Sequence, residues 1–249
     1  MHHFFVKPEN INEDRVKITG SDVRHITRSL RLDVGDKISV ADGIGKKYVV
    51  KIIDTQEDLV LGEIQKEFQV EVEPEIEVTL LQGLPKSKKM DLIVQKCTEL
   101  GMDKIIPMET RRTVVKLKPS KAKRRQKRWQ KIAKEAAKQS GRAKIPTVED
   151  LIDFADLELI INNYDLILLP WEDEESIGLK KILKSSAEHN NRILIIIGPE
   201  GGFDSEEVME AKELGAKSVT LGPRILRTET AGLAALSMVL YELGDLGGE

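Results

Sequence analysis

Alternating apolar and polar positions dominate the first seventy residues. Val- and Ile-rich runs at 37–41, 48–53 and 59–64 have the length and composition of strands. Asp42-Gly43 and Gly45 punctuate the first two as a hairpin would. A helical pattern over 22–30 interrupts them, with Ser21 in position to cap it. Several short strands and one helix predict a small β-barrel. The charged, proline-bearing stretch Glu71-Val72-Glu73-Pro74-Glu75 then sets a domain boundary, dividing the chain into 1–72 and 73–249.

Beyond it, strands and helices alternate. A strand is predicted at 78–82, a helix at 88–100 closed by Gly101, and a strand at 104–108. Ser120 then caps a long helix in which Trp129, Ile132, Ala133, Ala136 and Ala137 recur on one face, and Gly141 ends it. The apolar runs at 166–169 and 192–197 are typical of buried parallel strands. Asp204-Ser205-Glu206-Glu207 is a capped helix start, and that helix ends at Gly215. A strand at 219–221 follows. The last helix, 230–243, is apolar on nearly every side, so it needs burial in the core or against a partner subunit. The second domain is therefore α/β with a mainly parallel sheet.

Composition narrows the class. At 33% charged and 40% hydrophobic, the 249-residue chain reads as soluble and globular. Its longest strongly apolar run, 193–197, is too short to span a bilayer. The start, Met1-His2-His3-Phe4-Phe5, lacks the pattern of a secretory signal, so a cytoplasmic location is expected. The single cysteine, Cys97, excludes an intramolecular disulfide and a CxxC metal site, and no metal is expected. A net charge of −3 does not advertise nucleic acid, but its distribution does. Residues 116–134 carry ten Lys or Arg and no acid, while acids collect at 71–77 and 172–175. The basic stripe suits phosphate contacts through Lys121, Arg124, Arg125 and Arg128. It equally suits a solvated helix face.

Two segments carry candidate chemistry. In the first, the strand at 193–197 runs into Gly198-Pro199-Glu200-Gly201-Gly202-Phe203 and then the capped helix. Ligands of parallel sheets bind at the carboxyl ends of strands, where glycines let the backbone approach. The segment is neither GxGxxG nor a Walker loop, and a tight turn without a ligand would look alike. The second, Leu221-Gly222-Pro223-Arg224-Ile225-Leu226-Arg227-Thr228-Glu229-Thr230-Ala231, also leads from a strand into a helix. Ile225 and Leu226 are apolar where loops are usually polar; they plug the core or line a pocket suited to an adenine ring. Thr228 or Thr230 is placed to cap the last helix. A bulky residue at Gly198 or Gly222 is expected to obstruct the path by which a ligand approaches.

GPEGGF followed by LGPRILRTETA resembles the RsmE family, SPOUT-class enzymes that methylate N3 of a uridine in bacterial small-subunit (16S) ribosomal RNA. QKCTELG at 95–101, RTVVK at 112–116, Arg128-Trp129 and EAAKQSGR at 135–142 extend the likeness. His25-Ile26, Leu30-Arg31, Gly35-Asp36 and Asp42-Gly43 resemble the family's PUA-like barrel. His3 stands where the family often has Arg, and Arg111 where Glu is common. The resemblance implies an N-terminal PUA-like β-barrel and a C-terminal SPOUT α/β domain tied in a trefoil knot. It implies S-adenosylmethionine as cofactor, held by Leu169, Gly198, Pro199, Glu200, Gly201, Gly202, Leu221, Gly222, Ile225, Leu226 and Thr230. It further implies a homodimer acting on 16S rRNA or the small ribosomal subunit, with no membrane. Arg24, Arg28, Arg31, Arg112 and Arg142 join the stripe as candidate RNA contacts.

N3 lies on the Watson–Crick edge of uracil, so the base must be unpaired or flipped out. The reaction needs positioning and removal of one proton. Arg227, Thr228, Glu229 and Glu200 are the candidate catalytic groups. A carboxylate accepts the proton or orders a water, and Arg227 stabilises the developing anion. Arg227 and Glu229 also fit a structural pair, and Glu229 a helix-start acid. Three rival readings stay open: methylation of another RNA nucleotide, a non-catalytic ribosome-assembly protein that binds RNA, and nucleotide hydrolysis. The last lacks a lysine and a Mg²⁺ carboxylate pair.

Overall fold

A computed structural model of the chain describes residues 1–68, 72–186 and 191–248. Glu71, the first residue of the expected boundary stretch, lies outside them. The chain divides into two compact units, Met1–Glu73 with Ala137–Ile145, and Pro74–Ala136 with Pro146–Glu249. The first unit is thus discontinuous, since it draws in a later segment that the sequence pattern assigned wholly to the second domain.

In the first unit the strands are β1 (His3–Phe5), β2 (Arg15–Thr19), β3 (Lys37–Ala41), β4 (Lys47–Thr55) and β5 (Leu59–Phe68). Between β2 and β3 lies α1 (Ser21–Arg24), which continues as a π-helical turn, His25–Ser29. Ser21 opens α1 rather than capping it; the cap position is Gly20, with φ 75° and no side-chain bond. The sheet order is β1-β3-β4-β5-β2, with only β1–β3 parallel. Val16 and Ile18 of β2 point inward between exposed Arg15, Lys17 and Thr19, the period-2 pattern of a half-buried strand. Register shifts at Val49/Val50 and Ile52/Asp54 interrupt the β4–β5 ladder, and such bulges bend and twist a strand. The core gathers Phe4, Val16, Ile18, Ile26, Ile38, Val40, Val50, Ile52 and Val60. In the β3–β4 hairpin, Asp42 Oδ1 accepts from the N–H groups of Ile44, Gly45 and Lys46 at 2.8, 3.0 and 2.9 Å.

The second unit contains β6 (Glu77–Gly83), α2 (Lys89–Leu100), β7 (Lys104–Glu109), α3 (Pro119–Ser140, whose last turn clusters with the first unit) and the short β8 (Thr147–Val148) and β9 (Ile152–Asp153). Then come α4 (Leu157–Ile161), β10 (Leu166–Pro170), α5 (Leu179–Ser185), β11 (Arg192–Ile197), α6 (Ser205–Glu213), β12 (Lys217–Val219) and α7 (Thr228–Leu243). Every strand pair in this sheet is parallel, in the order β12-β10-β11-β6-β7-β8 with β9 also on β7. Its central strand β11 is buried on both faces: Ile193, Ile195 and Ile197 meet one core cluster, Leu194 and Ile196 the other. That is why it reads as an unbroken apolar run.

The ends follow local chemistry. Gly101 closes α2 in the left-handed conformation, and Asp204 with Glu207 forms a reciprocal capping box at α6. Three expectations shift. The long helix begins at Pro119, so Ser120 lies inside it rather than at its cap, as proline favours the first turn. The last strand is 217–219 rather than 219–221. The last helix starts at Thr228, not at 230. Its Leu236, Val239 and Leu240 are fully buried, whereas Met238 and Tyr241 are 42% and 69% exposed. Among the described residues, no helix is long and apolar enough to cross a membrane.

Candidate active site

The two glycine-bearing loops leave the sheet at the carboxyl ends of β11 and β12 and converge on a trough with two lobes. One lobe, about 360 Å³, is bounded by the glycine loop at 198–203, by Lys89, and by 225–228. The other, about 570 Å³, is bounded by 220–226 and the segment after β10. Pro170, Glu172, Ile225, Leu226 and Ala231 line both. These volumes fall in the range of small-molecule sites.

The loops are locked by buried polar groups. Thr228 donates to the Gly198 carbonyl at 2.6 Å and accepts from Gln82 Nε2 at 2.8 Å. Gln82, at the end of β6 and wholly buried, also donates to the Gly83 carbonyl. One amide thus ties β6, β11 and α7 together. Thr228 is therefore a strut between elements, neither a side-chain cap nor an exposed catalytic hydroxyl. Gly83 has no room for a side chain, since a Cβ would come within 2.5 Å of Pro199 N. Gly202 combines φ +69° with a Cβ position 2.0 Å from a Glu172 carboxylate oxygen. The obstruction expected at Gly198 and Gly222 has a different cause at each. A Cβ on Gly198 would crowd Gly202 and the Phe203 ring at 3.2 Å, whereas one on Gly222 meets nothing. What restricts Gly222 is its φ of +117°.

Charge concentrates at one end of the trough. Lys89, the first residue of α2, lies 3.0 Å from Glu200 Oε1 and 3.0 Å from Glu229 Oε2, the latter without hydrogen-bond alignment. Glu200 also accepts from Lys86 N–H at 3.0 Å. Burial alone would raise the Glu200 carboxyl, but Lys89 and the Lys86 amide bring it below its ordinary value. Glu229 follows the same course: burial opposes ionisation, while its own backbone N–H at the helix start, Lys89 and Arg227 outweigh it. Lys89 is in turn held protonated by Glu229 and Glu200. Arg227 is exposed at the N-cap of α7, beside the same lobe. No motif search would select Lys89; its one sequence signal is a run of lysines directly after an apolar strand.

Several expected residues sit elsewhere. Leu169 is buried in the core on one face of the sheet, and it is Pro170 that reaches the trough. Thr230 faces solvent and its N–H bonds the Arg227 carbonyl, so it belongs to the first turn of α7. Gly201 packs over Arg112, with a Cβ position 3.2 Å from Arg112 Cβ. Pro199, Glu200, Gly202, Leu221, Gly222, Ile225 and Leu226 do line the trough. Among the RNA candidates, Arg24, Arg28, Arg31, Lys121 and Arg124 are exposed and Arg125 half-buried. Arg128 pairs with Asp91 at 2.7 Å, and Arg112 reaches Gly201 O and Asp204. Arg142 contradicts its expected role. Its side chain is 4% exposed and bonds Glu73 through Nε and Nη2 at 3.1 and 2.7 Å.

Comparison with known proteins agrees with this geometry. Residues 72–240 match the model of an RNA methyltransferase domain, and residues 18–65 that of an RNA methyltransferase PUA domain. The ribosomal RNA small subunit methyltransferase E of Bacillus subtilis is 37% identical over 235 residues, covering 93% of this chain and 92% of that protein. The chain belongs to this family. Its member from Synechocystis is 36% identical over 241 residues, covering 96% of this chain and 77% of its own length. A crystal structure of the family member from Neisseria gonorrhoeae bound to S-adenosyl methionine superposes with a TM-score of 0.84 at 32% identity, covering 99% of each chain. The family's methyltransferase model therefore spans both glycine loops, the Gln82 lock and Lys89.

Proposed function

We propose that this chain methylates N3 of a uridine in bacterial 16S ribosomal RNA, using S-adenosylmethionine, as a cytoplasmic homodimer. The observation that carries the reading is the convergence of two glycine loops on one trough inside a matched RNA methyltransferase domain. The donor set fits that cofactor. Ile225 and Leu226 offer apolar surface for an adenine, the glycine loop offers backbone close to a ligand, and no metal is called for. Bound S-adenosylmethionine supplies a methyl group already activated by its sulfonium.

The residues of this chain then have separate tasks. Arg227 faces the lobe with a charge suited to the anion that develops on uracil oxygens as the N3 proton leaves. Glu200 and Glu229 are ionised acceptors, and their lowered pKa makes them weak bases. Either is nonetheless a far stronger base than water, so one of them is the final acceptor of the N3 proton, taken directly or relayed through a single water. Lys89 fixes both carboxylates and keeps them ionised. The exposed cations of α3 and of 24–31 supply phosphate contacts. The homodimer reading draws support from exposed Met238 and Tyr241 on α7 and Leu92 on α2, which packs against α7. The trefoil knot belongs to the same reading: after β12 the chain returns past β11 to seat Thr228 on Gly198.

The test has two parts. Calorimetry on EDTA-treated protein should show S-adenosylmethionine binding. Mass spectrometry of 16S RNA from cells lacking the protein should show loss of one N3-methyluridine, restored by the wild-type chain. Loss of a different modified nucleotide would overturn the substrate while leaving the cofactor in place.

A further inference from the structure

Glu172 stands out among the residues lining the trough. It lies two residues past the end of β10 and borders both lobes. Its neighbour Glu174 is fully engaged. Glu174 accepts from Ser176 N–H and hydroxyl at 3.0 and 2.6 Å, from Ile177 N–H at 3.2 Å and from Ser218 hydroxyl at 2.6 Å. Those bonds, led by the Ser176 and Ser218 hydroxyls, draw the Glu174 carboxyl down to about 2. They fasten the segment carrying Glu172 to β12. Glu172 itself is exposed, and among the described residues no cation lies within ion-pair distance of it and no hydrogen bond engages it. Its carboxylate occupies the space that the missing side chain of Gly202 leaves, 2.0 Å from where a Cβ would be. A carboxylate on a fastened loop, nested against a glycine and bonded to nothing among the described residues, has its acceptor capacity directed at a ligand.

We infer that Glu172 anchors the ribose of the methyl donor, its carboxylate accepting hydrogen bonds from the 2′- and 3′-hydroxyls. The inference rests on the reading that the trough holds S-adenosylmethionine. The ribose is the middle of that molecule, between the adenine and the sulfonium, and Glu172 is the acid common to both lobes. A paired diol matches the two oxygens of one carboxylate, the chemistry by which acidic residues hold ribose in dinucleotide sites. The rival target within the same ligand is its amino-acid ammonium.

Calorimetry on the full chain separates the two, with S-adenosylmethionine and 5′-methylthioadenosine as probes. The second keeps adenine and ribose but lacks the ammonium, the carboxylate and the positive sulfur. Glu172→Ala should weaken both ligands by the same factor, roughly ten- to a hundredfold, the scale of losing a hydrogen bond to a charged group. Glu172→Gln, which keeps one acceptor oxygen, should fall between. Because Glu172 is exposed and bonded to nothing among the described residues, thermal unfolding of both variants should match the wild type. Weakened S-adenosylmethionine with unchanged 5′-methylthioadenosine would move the contact to the ammonium and overturn the inference. Unchanged affinity for both would overturn it while the donor reading stands. A wild-type chain that binds neither ligand overturns the donor reading and this inference with it.

Discussion

Arg142 and Glu73 offer the most direct test of how charge is used in the first unit. Their side chains are 4% and 6% exposed. Arg142 spends its Nε and Nη2 on Glu73 Oε2, while Glu73 Oε1 accepts from the N–H groups of Ala143 and Lys144 at 2.8 and 3.0 Å. Arg142→Ala strands a buried carboxylate, and breaking one side of a buried pair costs about 3–5 kcal/mol. The two backbone donors remain in place and hold part of the charge, so the lower end applies, about 3 kcal/mol. For a domain of this size each kcal/mol moves the midpoint by about 4–8 °C, so the first unit should melt about 12–24 °C lower. Circular dichroism melts of the full chain measure the shift. RNA affinity, taken at a temperature where the variant is still folded, should stay at the wild-type value, because the guanidinium does not reach solvent. A loss below about 1 kcal/mol together with weakened RNA binding would refute the argument and return Arg142 to the phosphate contacts.

Two further outcomes concern protons. Removing the Lys89 ammonium lets the Glu200 and Glu229 carboxyls rise, so Lys89→Met should move the acid limb of the single-turnover methylation profile to higher pH, and Lys89→Arg should restore it. A uniformly slower profile with an unmoved limb would make Lys89 a packing residue only. His3, between the Ser39 hydroxyl and the Arg142 carbonyl, has its pKa lowered to about 4, first by burial and then by Lys47. The unfolded chain therefore binds the proton more readily. Its contribution is complete above the ordinary histidine value of 6.5 and is lost as pH falls towards 4. His3→Gln should flatten the pH dependence of the melting temperature in that window, and an unaltered slope would count against the assignment.

The fold was legible where local chemistry and burial agree. β11 announces itself as six apolar or flanking positions because both of its faces meet a core. The α6 start is written in Asp204 and Glu207, which bond each other's backbone ends. The elements the pattern did not resolve are those held by distant partners. β8 and β9 are two residues each and exist through pairing with β7. β1 is three residues long and takes its register from β3. The capture of Ala137–Ile145 by the first unit has the same origin. Its basis is Glu73 binding Arg142, Ala143 and Lys144 some seventy residues later, a relation no periodicity encodes.

The site divides along the same line. Loops following buried parallel strands point to a ligand by position alone, and Gly202 and Gly222 mark conformations open mainly to glycine. Their company was not legible. Gln82 reads as one polar residue closing an apolar strand, yet it is wholly buried and holds Thr228 from 146 positions away. Burying an amide is costly unless it is bonded. Nε2 is bonded twice, to Thr228 and to the Gly83 carbonyl, while Oε1 has no partner among the described residues. It is the bonded half that ties β6 to α7 in the folded chain. Ile225 argues the complementary point. It is 87% exposed in the loop between β12 and α7, an arrangement that burial energetics alone would not select. Gln82 and Thr228 join their elements in the folded chain, so a ligand that covers Ile225 and meets Glu172, which has no partner among the described residues, does not bear the cost of ordering that frame.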